Sequence, residues 1–207
     1  MASKVDFKKE LKQLYSAKNK PEIVKVPELK YLMIDGMGSP GEAKEYLDSI
    51  SVLYPVAFIT KFMSKLELKK DYTVPPLEGL WWADNMNDFT EGRRDKWKWT
   101  LMIMQPSWIT KEMIKKSINK AKEKNSKISN LIDKLRLENY EEGKTAQIMH
   151  SGLYKEEAKT IQILHDFIKE SKGEFDGHKE KHHEIYLTDP RKCKPEKMKT
   201  ILRQPFK

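Results

Sequence analysis

The sequence predicts an α+β protein made of a duplicated strand-helix-strand-strand unit, two pseudo-symmetric halves whose antiparallel sheets surround a central ligand cleft. Three observations lead there. A helix carrying Glu42-Ala43-Lys44 follows a strand and a glycine-containing turn, and so does one carrying Glu157-Ala158-Lys159. The stretch KWTLMIMQP ends the first half and KMKTILRQP ends the second. Glu78 and Glu184 each fall in the third element of their half. A period of roughly a hundred residues is too long for a solenoid, so the repeat is a domain half. Each unit has one apolar sheet side, and joining the halves across a pseudo-twofold axis buries it and leaves a cleft of the kind ligands favour.

The elements follow in order. Residues 1–20 hold an N-terminal helix, with Val5, Leu11, Leu14 and Tyr15 on one face among lysines. Half one spans about 21–106. Its first strands are two pieces interrupted by Pro27, and Gly36–Gly41 is a turn. A helix from Glu42 to Tyr54 places Ala43, Leu47, Ile50 and Leu53 at helical spacing, and Pro55 kinks it or starts a second helix through Leu66. Strands then cover Leu77–Ala83 and Trp97–Gln105. A helical connector occupies about 107–134, with Ser107 as N-cap. Half two, about 135–207, repeats the order: extended pieces at 135–140 and 145–150, a helix through Ala158, Ile161, Leu164 and Ile168, then strands at 182–188 and 197–203.

Composition narrows the function. The 207 residues carry a net charge of +9, yet lysine and arginine are interleaved with acids along the whole length. Such scattered charge gives solubility rather than a nucleic-acid footprint, and no specific nucleic-acid partner is expected. Cys193 is the one cysteine, which excludes an internal disulfide and a cysteine zinc site. The sequence has no apolar leader and no run long enough to span a bilayer, so a cytoplasmic protein without a membrane partner is expected. Adjacent His182 and His183 point apart on a strand, which argues against a metal site. No phosphate-binding loop or nucleophile elbow occurs, and no cofactor is expected.

Taken together, His150-Ser-Gly152-Leu-Tyr154 before a helix, the stretches EGLWW and HHEIYLTDPRK, and the closing ILRQP resemble the GyrI-like small-molecule-binding domains, in particular their stand-alone branch. The likeness runs from about Ile23 to Phe206. It implies two fused halves that bind flat, hydrophobic, often cationic molecules in a central cleft, with Glu184 in that cleft. It also implies, from some stand-alone members, hydrolysis of cyclopropane-bearing genotoxins for self-protection; the alternative is a non-catalytic multidrug binder or sensor. Regulators of the family carry a helix-turn-helix segment, for which the twenty or so residues ahead of the domain are too few.

The candidate site residues follow from strand parity. Glu184 and Tyr186 share a face, and a carboxylate among aromatics either attracts a cation or becomes a base near neutrality. Glu184 is the expected water-activating residue, with Tyr140 or Tyr186 donating to a developing oxyanion. Parity groups Trp82 with Glu78 and Leu80, on the face expected to match Glu184. Trp82 and Trp99 are expected to clamp a ring system, with Trp81, Met33 and Met149 also in the ligand-binding set.

Overall fold

The structure is a computed structural model that describes residues 4–207. Half one contributes strands β1 (Glu22–Val26), β2 (Leu29–Met37), β3 (Leu77–Trp82) and β4 (Lys98–Gln105). Half two contributes β5 (Arg136–Tyr140), β6 (Gly143–Ser151), β7 (His182–Tyr186) and β8 (Lys199–Pro205). The helices are α1 (Phe7–Glu10), α2 (Lys44–Glu67), α3 (Asn87–Thr90), α4 (Lys111–Lys124) and α5 (Ala158–Glu170). All eight strands join in one sheet of order β1-β6-β8-β7-β3-β4-β2-β5, antiparallel at every pairing. The expected two sheets are thus one, closed at its centre by β3 against β7.

The duplication is visible in the register. Leu32 opposes Ile103 in half one as Ile148 opposes Leu202 in half two. The leading strand of each half leaves its own half: β1 pairs with β6, and β5 pairs with β2.

The longer helices α2, α4 and α5 cover one face. In half one Leu32, Ile34, Leu101 and Ile103 pack under Val52, Leu53, Val56 and Ala57 of α2 and Ile114 of α4. In half two Ile148 and Leu202 pack under Leu164 and Ile168 of α5. Pro55 lies inside α2 without ending it. The proline withholds one donor, from the carbonyl of exposed Ser51, where water can replace it.

The other face buries Tyr31, Met33, Leu80, Met102, Met104, Ile185 and Ile201 under Leu14 and Tyr15. The segment supplying that cover is not the expected helix over 1–20. Only Phe7–Glu10 is helical, because the following carbonyls are taken by side chains of the sheet. The Arg203 guanidinium donates to Leu14 O, and Gln147 Nε2 donates to Gln13 O and Ser16 O at 3.1 and 3.2 Å. A carbonyl so occupied is diverted from an intrahelical bond. The connector is likewise shorter than expected: Thr110, not Ser107, caps α4 by accepting from Met113 N. Residues Asn130–Lys134 form a separate 3-10 turn.

Candidate functional site

Glu184 lies in β7 with its side chain only 14% exposed. Because β7 alternates, Ile185 and His183 point to the face covered by Leu14 and Tyr15, while His182, Glu184 and Tyr186 point to the helix face. The Tyr186 hydroxyl donates to Glu184 Oε2 at 2.7 Å. Directly across the central strand pair stands Gly79. A β-carbon there would lie 3.0 Å from Trp81 Nε1 and 3.2 Å from the Tyr186 hydroxyl. Glycine is what lets an indole and a phenol meet over the backbone beside the acid.

Aromatic groups from three elements surround this floor. Tyr46 of α2 stacks on Trp81 with ring centroids 6.2 Å apart. Trp97 meets Trp81 edge-on at 6.3 Å. Tyr154, from the turn before α5, meets Tyr186 edge-on at 5.7 Å. Tyr54, two turns beyond Tyr46 on α2, is half-buried at the rim near Asp189 and Arg191. Burial holds Tyr46, Tyr154 and Tyr186 protonated far into the alkaline range, so they act as hydrogen-bond donors. The indole N–H of Trp81 has no partner in the structure.

Two carboxyls face this cluster. Burial pushes Glu184 up to about 7, against the Tyr186 hydrogen bond and the charge of His183, which both favour the ionised form. Glu157, at the start of α5, is 5% exposed. Burial and then the Glu184 charge raise it above the ordinary carboxyl range, opposed by a hydrogen bond from Thr200. His182 Nε2 is 3.7 Å from Glu184 Oε1, and burial lowers its pKa to about 3, so it stays neutral beside the acid.

The opposite face holds a separate charged network. His183 is fully buried between Glu78 Oε2 at 3.0 Å and Glu142 Oε1 at 2.9 Å. Tyr15 donates to Glu78 Oε1 at 2.9 Å, and Arg203 reaches Glu142 at 3.4 Å and Gln147 at 3.1 Å. This network ties the N-terminal segment to the sheet.

The expected site residues therefore divide. Glu184, Tyr186 and Trp81 come together. Glu78 and Trp82 do not share their face: the register sets Gly79, not Glu78, opposite Glu184, which puts the even-numbered residues of β3 on the other side. Glu78 is spent on His183, and Trp82 carries Lys181 Nζ 3.5 Å above its ring. Met33, Met149 and Tyr140 also pack on that far face, with Tyr140 against Tyr31. Trp99 is on the helix face but fully buried, its ring laid on Gly36, where a β-carbon would come within 2.2 Å. It is core. Tyr46, Tyr54, Tyr154 and Glu157 were not anticipated. Glu157 had a signal in the repeated Glu-Ala-Lys and Tyr154 in the His150–Tyr154 motif, although neither marked a site role; Tyr46 and Tyr54 had none beyond helical spacing.

Two surface hollows lie elsewhere, one lined by Lys30, Thr110, Lys111 and Glu138, the other by Lys44, Glu45, Asp48 and Lys134. Both also include apolar side chains, Ile109 and Leu137 in the first and Leu131 in the second, and neither includes Glu184 or the aromatic groups around it. No helix among the described residues is long and apolar enough to cross a membrane, and no cluster of three or more metal-ligating side chains occurs among them.

Comparison with known proteins agrees with the fold. No curated protein matches the chain. An uncharacterized conserved protein from Listeria innocua is 40% identical over 99% of this chain and 100% of its own, with a TM-score of 0.90. A structure described as a hydrolase from Listeria innocua is 41% identical over the same shares, with a TM-score of 0.88. The C-terminal domain of EcmrR has the same fold at 8% identity, covering 91% of this chain and 97% of its own with a TM-score of 0.58. The model of the GyrI-like small molecule binding domain matches residues 19–207. The chain belongs to the GyrI-like small-molecule-binding domain family.

Proposed function

We propose that this protein takes planar, hydrophobic molecules, including cationic ones, into the aromatic cleft beside Glu184, and that it hydrolyses a strained electrophile there, of the cyclopropane-bearing genotoxin class. The observation that carries this reading is Glu184 itself: nearly buried, held by Tyr186 at 2.7 Å, and with burial bringing its carboxyl to about 7. A base poised near neutrality combines a useful ionised fraction with a real affinity for the proton of water. The near-full-length Listeria relatives described as hydrolases support a hydrolytic reading.

In this mechanism Tyr46, Trp81 and Tyr154 sandwich the flat ring system. Tyr186 fixes the rotamer of Glu184, and Glu184 takes a proton from a water that attacks the strained carbon. The ring carbon–carbon bond breaks, and its electrons move to a conjugated acceptor oxygen of the substrate. The unpartnered Trp81 N–H at the floor is available as a donor to the ligand. Excluding bulk water and aligning the reactants would supply much of the rate.

The test is incubation of the purified protein with a cyclopropane-bearing alkylator, followed by mass spectrometry. Appearance of the water adduct, abolished in Glu184→Gln with ligand binding retained, is the expected result. Intact ligand bound one-to-one without turnover would replace the hydrolase reading by that of a binder, and unchanged turnover in Glu184→Gln would remove Glu184 from the chemistry.

A further inference from the structure

Glu157 is a buried acid without an evident structural purpose. Its side chain starts α5 yet makes no capping hydrogen bond to the helix backbone. One carboxyl oxygen, Oε1, has no partner at all. Leaving a buried polar atom unpaired is unfavourable, and each such atom calls for an explanation, a catalytic role among them. No lysine or arginine is among the groups that perturb it; Glu184 and the Thr200 hydroxyl are. Thr200 of β8 lies directly opposite Tyr186 of β7, and Tyr186 bonds Glu184. Tyr154, three residues before Glu157, closes the group against Tyr186. Two buried carboxyls therefore share one end of the aromatic cluster, Glu184 bonded by Tyr186 and Glu157 beside Thr200.

We propose that Glu157 is the acid partner of Glu184: it enters the reaction protonated and delivers its proton to the substrate oxygen on which negative charge develops. This rests on the hydrolytic reading of the site. Each buried carboxylate disfavours ionisation of the other, and such a coupled pair gives up its protons in two separate steps. Environments that push paired acids apart assign the roles, with the more readily ionised member the base and the other the acid. Here Glu184 has the Tyr186 hydroxyl and the nearby His183 charge to favour its anion, whereas Glu157 has Thr200 alone and faces the Glu184 charge. Glu184 is the base.

The step balances. Water loses a proton to Glu184 and its oxygen bonds to the strained carbon. The carbon–carbon bond breaks, its pair passes through the conjugated system to the acceptor oxygen, and that oxygen takes the proton of Glu157. One water is added and no net proton is consumed. Glu184 is left protonated and Glu157 ionised, and the proton returns between them after product leaves. The groups that set this balance are Glu184, Tyr186 and His182 on β7, Tyr46 on α2, Tyr154 before α5, and Thr200 on β8.

The decisive variant is Glu157→Gln, which keeps shape and removes the transferable proton. Turnover of the cyclopropane-bearing alkylator is expected to fall about a hundredfold or more, with KM little changed and the alkaline decline of the wild-type rate profile gone. An analogue whose acceptor oxygen becomes a more acidic product should lose far less, since its anion needs no proton. Unchanged kcat and an unchanged alkaline limb in Glu157→Gln would overturn the proposal while leaving the hydrolytic reading intact; that reading fails separately, on Glu184→Gln. Carboxyl-carbon NMR titration of the unliganded protein decides the pairing without substrate. The Glu157 resonance should titrate above the ordinary range and move down in Glu184→Gln, and a Glu157 that titrates like a surface carboxyl refutes it.

Discussion

Glu184 holds in its half the register position that Leu77 holds in the other, for Glu184 opposes Leu202 as Leu77 opposes Ile103. The duplicated fold is therefore chemically lopsided at its centre. One half presents a carboxylate to the aromatic cluster and the other a leucine, while the central pairing puts Gly79, two residues beyond Leu77, across from the acid. The close approach of Trp81 and Tyr186 over the backbone beside Glu184 depends on that glycine.

Gly79→Val tests this directly. The added methyls would press on Trp81 and Tyr186, and overpacking of this kind costs about 1–3 kcal/mol. Affinity for a planar ligand is expected to fall by about tenfold or more, measured by fluorescence titration of the tryptophans. Undiminished affinity would mean that ligands bind away from this floor.

Tyr186→Phe removes the donor that favours ionised Glu184. A hydrogen bond to a charged group contributes about 1.5–3 kcal/mol, so the Glu184 carboxyl should titrate above its present value of about 7. The acid limb of the rate profile moves up, with activity on the order of tenfold lower at neutral pH and recovering in alkali. A uniform loss at every pH would assign Tyr186 to ligand binding instead.

The far-face network sets the pH window of stability. Burial alone would lower His183, but Glu142 and Glu78 outweigh it and raise its pKa to about 9. Its folded value exceeds its unfolded one, so its contribution is complete below about 6.5 and fades as pH rises through 9. Burial alone would raise Glu142, but His183 and Arg203 outweigh it and hold its carboxyl down; that contribution is complete above about 4.5 and fades as pH falls. Urea melts should show both declines in the wild type. The alkaline decline should shrink in His183→Gln, which is destabilised by roughly 3–5 kcal/mol at pH 6.

Arg203→Met strips the guanidinium from Glu142, Gln147 and the Leu14 carbonyl together. Amides of residues 11–16 should exchange faster with solvent while those of α2 hold, as hydrogen-exchange mass spectrometry would resolve. Uniform acceleration across the chain would mean that Arg203 supports the whole sheet and not this segment.

Much of this fold was legible because the repeat is written in local patterns. The Glu-Ala-Lys helix starts, the alternating Trp97–Gln105 strand and the QP endings all survive as elements of the structure. Parity within β7 correctly joined Glu184 to Tyr186. Parity between strands failed, because register across β3 and β7 depends on tertiary pairing, and a shift of one residue exchanges the faces. That single step moved Glu78 and Trp82 to the far side and brought Trp81 in. Tyr46 and Tyr54 were invisible for another reason: a tyrosine on a helix looks the same in sequence whatever it packs against, and Tyr154 stood in the His150–Tyr154 motif without a sign of its role. The N-terminal helix was lost to Arg203 and Gln147, partners more than a hundred residues away.

The crossed pairing of β1 with β6 and β5 with β2 means that neither half owns a complete set of neighbours. Cut between β4 and β5, each fragment would carry one strand addressed to the other. Severed pieces should accordingly regain their shape only as a complex, with mutual clasping doing what a peptide linkage does now. A single ancestral copy of the unit could have met the same demand by reciprocal exchange within a homodimer, and later fusion would have freed the two copies to diverge around the shared centre, one toward leucine and the other toward glutamate.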